Sequence, residues 1–366
     1  MLRASTVALL ICAAAAGARA QQTAGTPTTL TVRSNLVEVP VLVKTKRDEM
    51  VYELTANDFT VTDNGLRQQV RLDPDTDSQP LALAIVVETG GAGAGHLADY
   101  VELGPILDAI IGEVPHRVAL ISFDSTPRVL LPFTPNTDDV AQQLANLRGG
   151  DNGAAILDGL ALAVAQLRQE PPLYRRAILL LSETIDQGSN TTLNEALRMI
   201  SDTNTTIYSF GFSSTRSAVL HEASKLNRPD EPGPAHGCFS REGADAEYKG
   251  HYSRQVLDCL SDLAPPLRLG TMAFLTARDS LSRNTAESIA KLTGGEFAQF
   301  HNPKTLQRGL IGLSKDVHNY YVLSFRPETP TPGMHALHVN LPDYPQLRLA
   351  SRSEYWIDDE NAAQAP

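Results

Sequence analysis

The feature that most constrains this chain is a set of apolar runs with no polar interruption. Leu81–Val87 (LALAIVV) and Ala177–Leu181 (AILLL) contain nothing that could face water. Arg117–Phe123 (RVALISF) and Thr206–Phe212 (TIYSFGF) are nearly as apolar. Runs of this length match strands buried on both faces, the condition of a parallel sheet covered by helices. Between them lie segments with helical spacing: Leu97 to Val114 (through Val101, Ile106, Leu107, Ile110 and Ile111), Asp138–Leu147, Ile156–Leu167 and Leu193–Ile200. Val129–Phe133 reads as an edge strand beside Arg117–Phe123. Further along, Thr285–Leu292 is helical, Glu296–Phe300 a short strand and Leu306–Val317 a helix. Strands alternating with helices predict a doubly wound, mostly parallel α/β sheet of Rossmann-like type over residues 79–318.

The two ends read differently. Residues 30–43 alternate apolar and polar, and Asp58–Asp63 followed by Asn64-Gly65 predicts a hairpin returning through Val70 and Leu72. The C-terminal stretches Tyr320–Phe325, His335–Leu341 and Leu347–Ser351 also read as strands. Neither end can bury a core alone, so 30–78 and 319–357 are expected to pack together as a small β-sandwich. Residues 214–270 form a polar, Pro-rich insertion without periodicity, of the kind that is functional or disordered. Residues 21–29 and 358–366 read as a disordered leader and tail.

At the N-terminus, Arg3, the apolar Val7–Ala16 and the small-x-small Ala18-Arg19-Ala20 predict a signal peptide cleaved before Gln21. The apolar run falls short of the roughly 20 residues a bilayer span needs. The mature chain is therefore expected to be periplasmic or secreted, and not membrane-spanning. Its length, about 345 residues, suggests a larger domain plus a smaller one. Cleavage removes Arg3 and Arg19 and takes the formal charge from −11 to −13. With that charge and no Lys/Arg stripe, nucleic acid is not an expected partner. Cys12 leaves with the signal, and Cys238 and Cys259 inside the insertion are expected to form a disulfide. A Cys2His2 metal site with His236 and His251 lacks the short ligand pairs of zinc sites.

Three stretches, with the flanks around them, carry a resemblance. They are Ile85-Val86-Val87-Glu88-Thr89-Gly90-Gly91-Ala92, Gly153-Ala154-Ala155-Ile156-Leu157-Asp158-Gly159-Leu160, and Leu179-Leu180-Leu181-Ser182-Glu183-Thr184. The flanks are Leu54-Thr55 with Asp58-Phe59, and Tyr320-Tyr321-Val322-Leu323. In order and texture the chain resembles the von Willebrand factor A (VWA) family, and within it the exported VWA-related proteins of acidobacteria. The resemblance implies that the three loops meet at the carboxyl edge of the sheet, where open α/β folds bind ligands. There the family builds a metal-ion-dependent adhesion site from an Asp-x-Ser-x-Ser loop, a Thr and an Asp. Mg²⁺ takes about six oxygens at about 2.0–2.1 Å, the last supplied by the partner.

Position by position, that pattern fails. Glu88 stands for the first Asp, Gly90 and Ala92 for the serines, Ala154 for the Thr and Glu183 for the last Asp. All three hydroxyls are missing. Without a cation the two glutamates repel, so one pKa should rise or the side chains should splay. The favoured expectation is a degenerate site in which both glutamates are solvated loop residues and no cofactor binds. The alternative is a rebuilt Mg²⁺ or Ca²⁺ site that recruits Asp151, Ser182 or Asp186. A hydrolase using the glutamates as acid and base lacks a visible pocket.

The Gly90–Gly95 run superficially resembles a dinucleotide loop, with Asp108 or Glu113 as the ribose acid. Its glycine spacing fits a flexible loop better. No Gly-x-Ser-x-Gly elbow, His-Glu-x-x-His pair or P-loop occurs. His335 and His338 read as surface strand residues, and Tyr320 and Tyr321 as packing at a strand start. The resulting expectation is a non-enzymatic module that presents a rim to a protein or cell-surface partner. That rim comprises Gly90–Gly95, Gly149–Ala154, Glu183–Ser189 and the insertion.

Overall fold

The apolar runs become the centre of a six-stranded sheet in the computed structural model, which describes residues 36–73, 79–212, 284–328 and 330–358. The expected signal peptide and leader, the insertion with both of its cysteines, and residues 359–366 lie outside the described residues. Strand β5 (Leu81–Glu88) is buried along its whole length between β6 (His116–Phe123) and β8 (Arg175–Glu183), parallel to both. Beyond β8 come β9 (Thr206–Phe212) and β10 (Phe297–Gln299), also parallel. Beyond β6 lies β7 (Arg128–Thr134), the antiparallel edge. The order β10-β9-β8-β5-β6-β7 reverses direction at β5/β8, the switch point where open sheets place ligands. The doubly wound fold is as expected.

Residue size explains how the faces are covered. Leu81, Leu83, Ile85 and Val87 of β5 point to one core, with Leu107, Ile110 and Leu310. Ala82, Ala84 and Val86 point to the other, with Ile156, Leu160 and Val164. The small alanines let α4 (Ile156–Leu167) approach closely, and a Cβ on its Gly159 would stand 3.1 Å from the Phe123 ring. The expected helix from Leu97 to Val114 is broken. It forms only α1 (Leu97–Tyr100) and α2 (Leu107–Ile111), separated by a 3₁₀ stretch with Pro105 inside. Proline donates no amide hydrogen and clashes with the preceding turn. The remaining helices α3 (Thr137–Ala145), α5 (Leu193–Asp202), α6 (Thr285–Leu292) and α7 (Pro303–Asp316) start at Asn136, Thr192, Asn284 and Asn302, whose side chains accept from first-turn amides.

Both ends of the chain build the sandwich. One sheet contains β1 (Val37–Lys44), β4 (Arg71–Leu72), β11 (Tyr321–Phe325) and β13 (Arg348–Ser351), in the order β13-β1-β11-β4. The other contains β2 (Thr60–Asp63), β3 (Leu66–Gln68), β12 (Gly333–Asn340) and β14 (Glu354–Ile357), in the order β14-β12-β2-β3. Val39, Val41, Val61, Leu323, Val339 and Ile357 share its core. The Asn64-Gly65 turn is present, with φ of 46° and 81°. The expected return through Val70 and Leu72 is not a single strand. Pairing with β2 ends at Gln68, and Leu72 pairs with Leu323 in the opposite sheet. Gly65→Ala puts a Cβ at positive φ and should cost about 1 kcal/mol, read as a lowered urea midpoint with an unchanged slope.

His335 corrects the surface reading. It is 2 % exposed, with Nδ1 2.7 Å from Asp63 Oδ1 and Nε2 2.7 Å from the Thr331 carbonyl, while Tyr355 donates to Asp63 at 2.8 Å. His338, on the opposite face of β12, is exposed as expected. The sandwich is fastened to the α/β layers by Lys44, whose Nζ lies 2.8 Å from Asp316 at the end of α7 and 3.1 Å from Glu296. Burial pushes the Asp316 carboxyl up to about 7. Asp358, placed in the tail by sequence, pairs with Arg198 at 2.6 Å.

Candidate functional site at the carboxyl edge of the sheet

Three of the expected rim loops do converge. After β5 the chain turns sharply, and Gly91 (φ 48°) donates its amide to the Asp151 carbonyl at 2.7 Å. Gly150 donates back to the Thr89 carbonyl at 2.8 Å. The loop before α4 then pairs with the loop after β8 through Gln187 N to Ala154 O at 2.8 Å and Ala154 N to Gln187 O at 3.3 Å. These contacts are backbone to backbone, and glycine makes them possible. A Cβ on Gly90 would stand 2.2 Å from the Gly153 carbonyl oxygen and 2.8 Å from Asp124 Cα. The loop read as flexible is therefore a packed turn, with Gly90 and Gly93 buried.

The glutamates are not solvated. Glu88 is 0 % exposed and Glu183 is 2 % exposed, because each ends a central strand beneath the turns that close over it. One Glu88 oxygen accepts from Gly93 N at 3.1 Å and the other from Glu183 N at 2.6 Å. Glu183 Oε1 accepts from Gln187 Nε2 at 2.9 Å. Burial, and after it the Glu183 charge, pushes the Glu88 carboxyl up to about 8. This is the raised acid that two facing carboxylates imply, although burial exceeds repulsion as its cause. Nearby, the Tyr100 hydroxyl is fully buried without a hydrogen-bond partner among the described residues, and burial holds its pKa well above the ordinary phenol value.

The residues nominated for a rebuilt cation site are each committed elsewhere. Asp151 Oδ1 accepts from Ser125 N and Oγ, both at 2.9 Å, and from Gly153 N at 2.8 Å. Those bonds, the Gly153 amide first, hold its pKa below the ordinary carboxylate value. Ser182 Oγ donates to the Glu183 carbonyl at 2.8 Å. Asp186 accepts from Leu157 N at 3.0 Å and Ser189 Oγ at 2.6 Å, capping the start of α4. Burial raises the Asp186 pKa in spite of those bonds.

The donor set at Glu88, Gly90, Ala92, Ala154 and Glu183 does not fit an octahedral Mg²⁺. Peptide amides already face both Glu88 oxygens, the serine positions carry no side-chain oxygen, and the Gly153 carbonyl fills the space that any side chain at position 90 would need. Among the described residues no group of three or more His, Cys, Asp or Glu is placed to hold a metal ion.

Sequence reading missed the fourth loop, from β6 to β7. Asp124 is 2 % exposed and holds the edge together: it accepts from Thr126 N at 2.8 Å and Arg128 Nη1 at 2.8 Å, while its carbonyl accepts from Ala155 N at 2.9 Å. Burial acts to raise its pKa, but Arg128 and the Thr126 and Asp151 amides outweigh it and leave the carboxyl below its usual range. The available signal was position, since Asp124 directly follows a buried strand at the carboxyl edge. The dinucleotide candidates Asp108 and Glu113 lie on and just after α2, away from any strand end.

Residues 106–186 match the family model of the von Willebrand factor type A domain. That segment runs from the end of the 3₁₀ stretch through β8 and includes the second rim loop and the first part of the third. No curated protein is significantly similar to the chain. Among solved structures, a von Willebrand factor type A protein from Catenulispora acidiphila aligns with 89 % of this chain and 64 % of its own length, at 10 % identity and a TM-score of 0.40. The conserved hypothetical protein BatB from Bacteroides thetaiotaomicron aligns with 65 % of this chain and 98 % of its own, at 12 % identity and a TM-score of 0.36. An aerotolerance-related membrane protein from Bacteroides fragilis has the same coverage and TM-score at 14 % identity. These values are too low for any property of those proteins to transfer to this one. Among the described residues no helix is long and apolar enough to cross a membrane.

Proposed function

We propose that this chain is an exported, non-enzymatic binding module that docks a protein or cell-surface partner on the rim of its VWA-like domain without a bridging cation. The observation that carries the reading is Glu88. The position that would anchor the cation is sealed beneath the Gly90–Gly93 turn, and both its oxygens are satisfied by amides. The rim above is preorganised, because hydrogen bonds to Asp124 and Asp151 tie the β6–β7 loop to the loop before α4, and backbone bonds of Gly91, Gly150 and Gln187 fix the other two loops to that one. It remains accessible, with Ser125, Thr126, Asp151, Asn152 and Asn190 exposed. Rigid, polar, exposed loops on a scaffold suit recognition by shape and hydrogen bonding.

Two measurements test it. Calorimetric titration of the mature protein with Mg²⁺, Mn²⁺ and Ca²⁺ should give no stoichiometric heat up to millimolar cation. Micromolar binding lost in Glu183→Ala would overturn the cation-free reading. In cross-linked pull-downs from the native envelope, a captured partner should persist in EDTA and be lost when Asn152→Trp obstructs the rim. A partner unaffected by Asn152→Trp would place the binding surface elsewhere.

A further inference from the structure

The chain is acidic, yet one helix shows a bare cationic face. Lys304, Arg308, Ile311 and Lys315 of α7 recur at i, i+4, i+7 and i+11, so they lie along one side of the helix. All four are exposed, Ile311 by 49 %. None of the three cations forms an ion pair among the described residues. The opposite side of α7 is packed: Leu306, Leu310 and Leu313 enter the same core as Leu103, Leu107 and Ile110. α7 therefore lies beside the 3₁₀ stretch (Val101–Ile106) and α2, and together they form the outer layer on one face of the sheet.

The neighbouring segment carries the opposite charge. Val101, Pro105 and Asp108 are exposed along it, and Glu102 is half-buried. Glu102 and Asp108 likewise form no ion pair among the described residues. Two contacts fix how the neighbours run. His96, just before α1, lies against the Phe300 ring with centroids 5.3 Å apart. His318, just after α7, places Nε2 2.8 Å from the Ile110 carbonyl. The two segments are therefore parallel. Between those contacts Arg308 comes level with Glu102, Ile311 with Pro105 and Lys315 with Asp108.

We propose that two copies of this chain associate through this layer, with α7 of each lying on the 3₁₀–α2 segment of the other. Charge selects the symmetry. A two-fold axis across the helices stacks α7 on α7, cation against cation. An axis along the helices sets Arg308 against Glu102 of the second copy and Lys315 against its Asp108, and each pair forms twice. Ile311 then meets Val101 and Pro105 of the second copy, which gives an apolar centre within a charged surround. The net negative charge of the two copies opposes approach, but that field is screened beyond about 8 Å at physiological ionic strength. Two short helices per copy make a small interface, so the dimer is weak and salt-sensitive. The same axis leaves both carboxyl edges pointing one way, and the dimer offers two rims to one surface. The association itself does not depend on what the rim binds.

The test is sedimentation velocity on the full mature chain over a concentration series. A reversible dimer is expected at high micromolar concentration, and molar salt should weaken it about tenfold or more. One variant combines Arg308→Glu with Lys315→Glu, and another combines Glu102→Lys with Asp108→Lys. Each sets like charges against one another and should weaken self-association about tenfold or more. Mixed in equal amounts, the two should dimerise again, because every facing pair is once more opposite in charge. Thermal melting checks that both are folded. A wild-type chain that stays monomeric throughout overturns the proposal. So does a dimer that both variants leave intact, or a mixture no more associated than its components. A monomer that instead sediments with phosphatidylglycerol vesicles through the same cations also overturns it and gives the stripe to a lipid surface. The wild-type series and its salt dependence decide these outcomes even if a variant does not fold.

Discussion

Glu88→Ala is expected to destabilise the protein by about 3–5 kcal/mol, because it leaves the buried amides of Gly93 and Glu183 unpaired and opens a cavity beneath the turn. Urea unfolding at pH 5 reads this directly. A loss below about 1 kcal/mol would mean that the carboxylate is solvated, the situation the bare sequence suggested. The pH dependence follows from the raised pKa. The unfolded chain ionises Glu88 above its ordinary value of 4.5, while the folded chain keeps the proton up to about 8. The folded state therefore binds more protons across that window, and stability falls as pH rises from about 4.5 to 8. At about 1.4 kcal/mol per pKa unit the Glu88 share is on the order of 5 kcal/mol. Asp316 and Glu354, both raised by burial to about 7, act in the same direction. So does His335, whose pKa is raised by Asp63 and the Thr331 carbonyl against the lowering effect of burial. Asp124 and Asp151 have lowered pKa values, and their contribution is lost only as pH falls below the ordinary carboxylate range. The protein should thus be more stable near pH 5 than near pH 8. Glu88→Gln should remove the largest single part of that slope, and an unchanged slope would assign it to other groups.

The contrast between Glu88 and the apolar runs shows what sequence could and could not say. Leu81–Val87 admits one environment, so the central strand and its neighbours were legible from hydrophobicity alone, whereas the meeting of the loops at the carboxyl edge came from the resemblance. The Asn64-Gly65 turn was legible for a similar reason, since few residue pairs tolerate two positive φ angles. Glu88 admits two environments, and composition favours water. Only the closing turn of Gly90–Gly93, packed by contacts between backbones, decides for burial. Nothing in the side chains of Gly90 or Gly153 announces that their main chains touch. Asp124 was missed because, although Arg128 lies only four residues on, the Asp151 amide comes from a second loop whose approach depends on those same glycines. His335 was misread because strand alternation gives the parity of a face and not which face is covered. Its register opposite Tyr355 and beside Asp63 is a property of sheet pairing.

The same backbone packing makes the loss of the cation site hard to reverse. Gly90→Ser restores the hydroxyl that the resemblance to VWA domains would ask for, yet it should not restore metal binding. The new Cβ would meet the Gly153 carbonyl oxygen at 2.2 Å and Asp124 Cα and Cβ at 2.8 Å, all parts of the scaffold that cannot rotate away. Relief requires moving the Gly149–Ala154 loop, which would break the bonds from Gly91 N to the Asp151 carbonyl and from Gly150 N to the Thr89 carbonyl. Overpacking of this kind costs about 1–3 kcal/mol or more, and each unpaired buried amide adds about 1–3 kcal/mol. The expected result is therefore a loss of about 3 kcal/mol or more in urea unfolding, with no calorimetric response to Mg²⁺. Ala92→Ser at a half-buried position meets no such obstacle and should be nearly neutral, and it too should leave the protein without Mg²⁺ binding, because Glu88 still faces two amides instead of a cation. If Gly90→Ser were tolerated and bound Mg²⁺ at micromolar concentration, the edge would be a dormant cation site awaiting one hydroxyl. The close approach of Gly90 to Gly153 predicts instead that the loops have collapsed onto the space a cation would need.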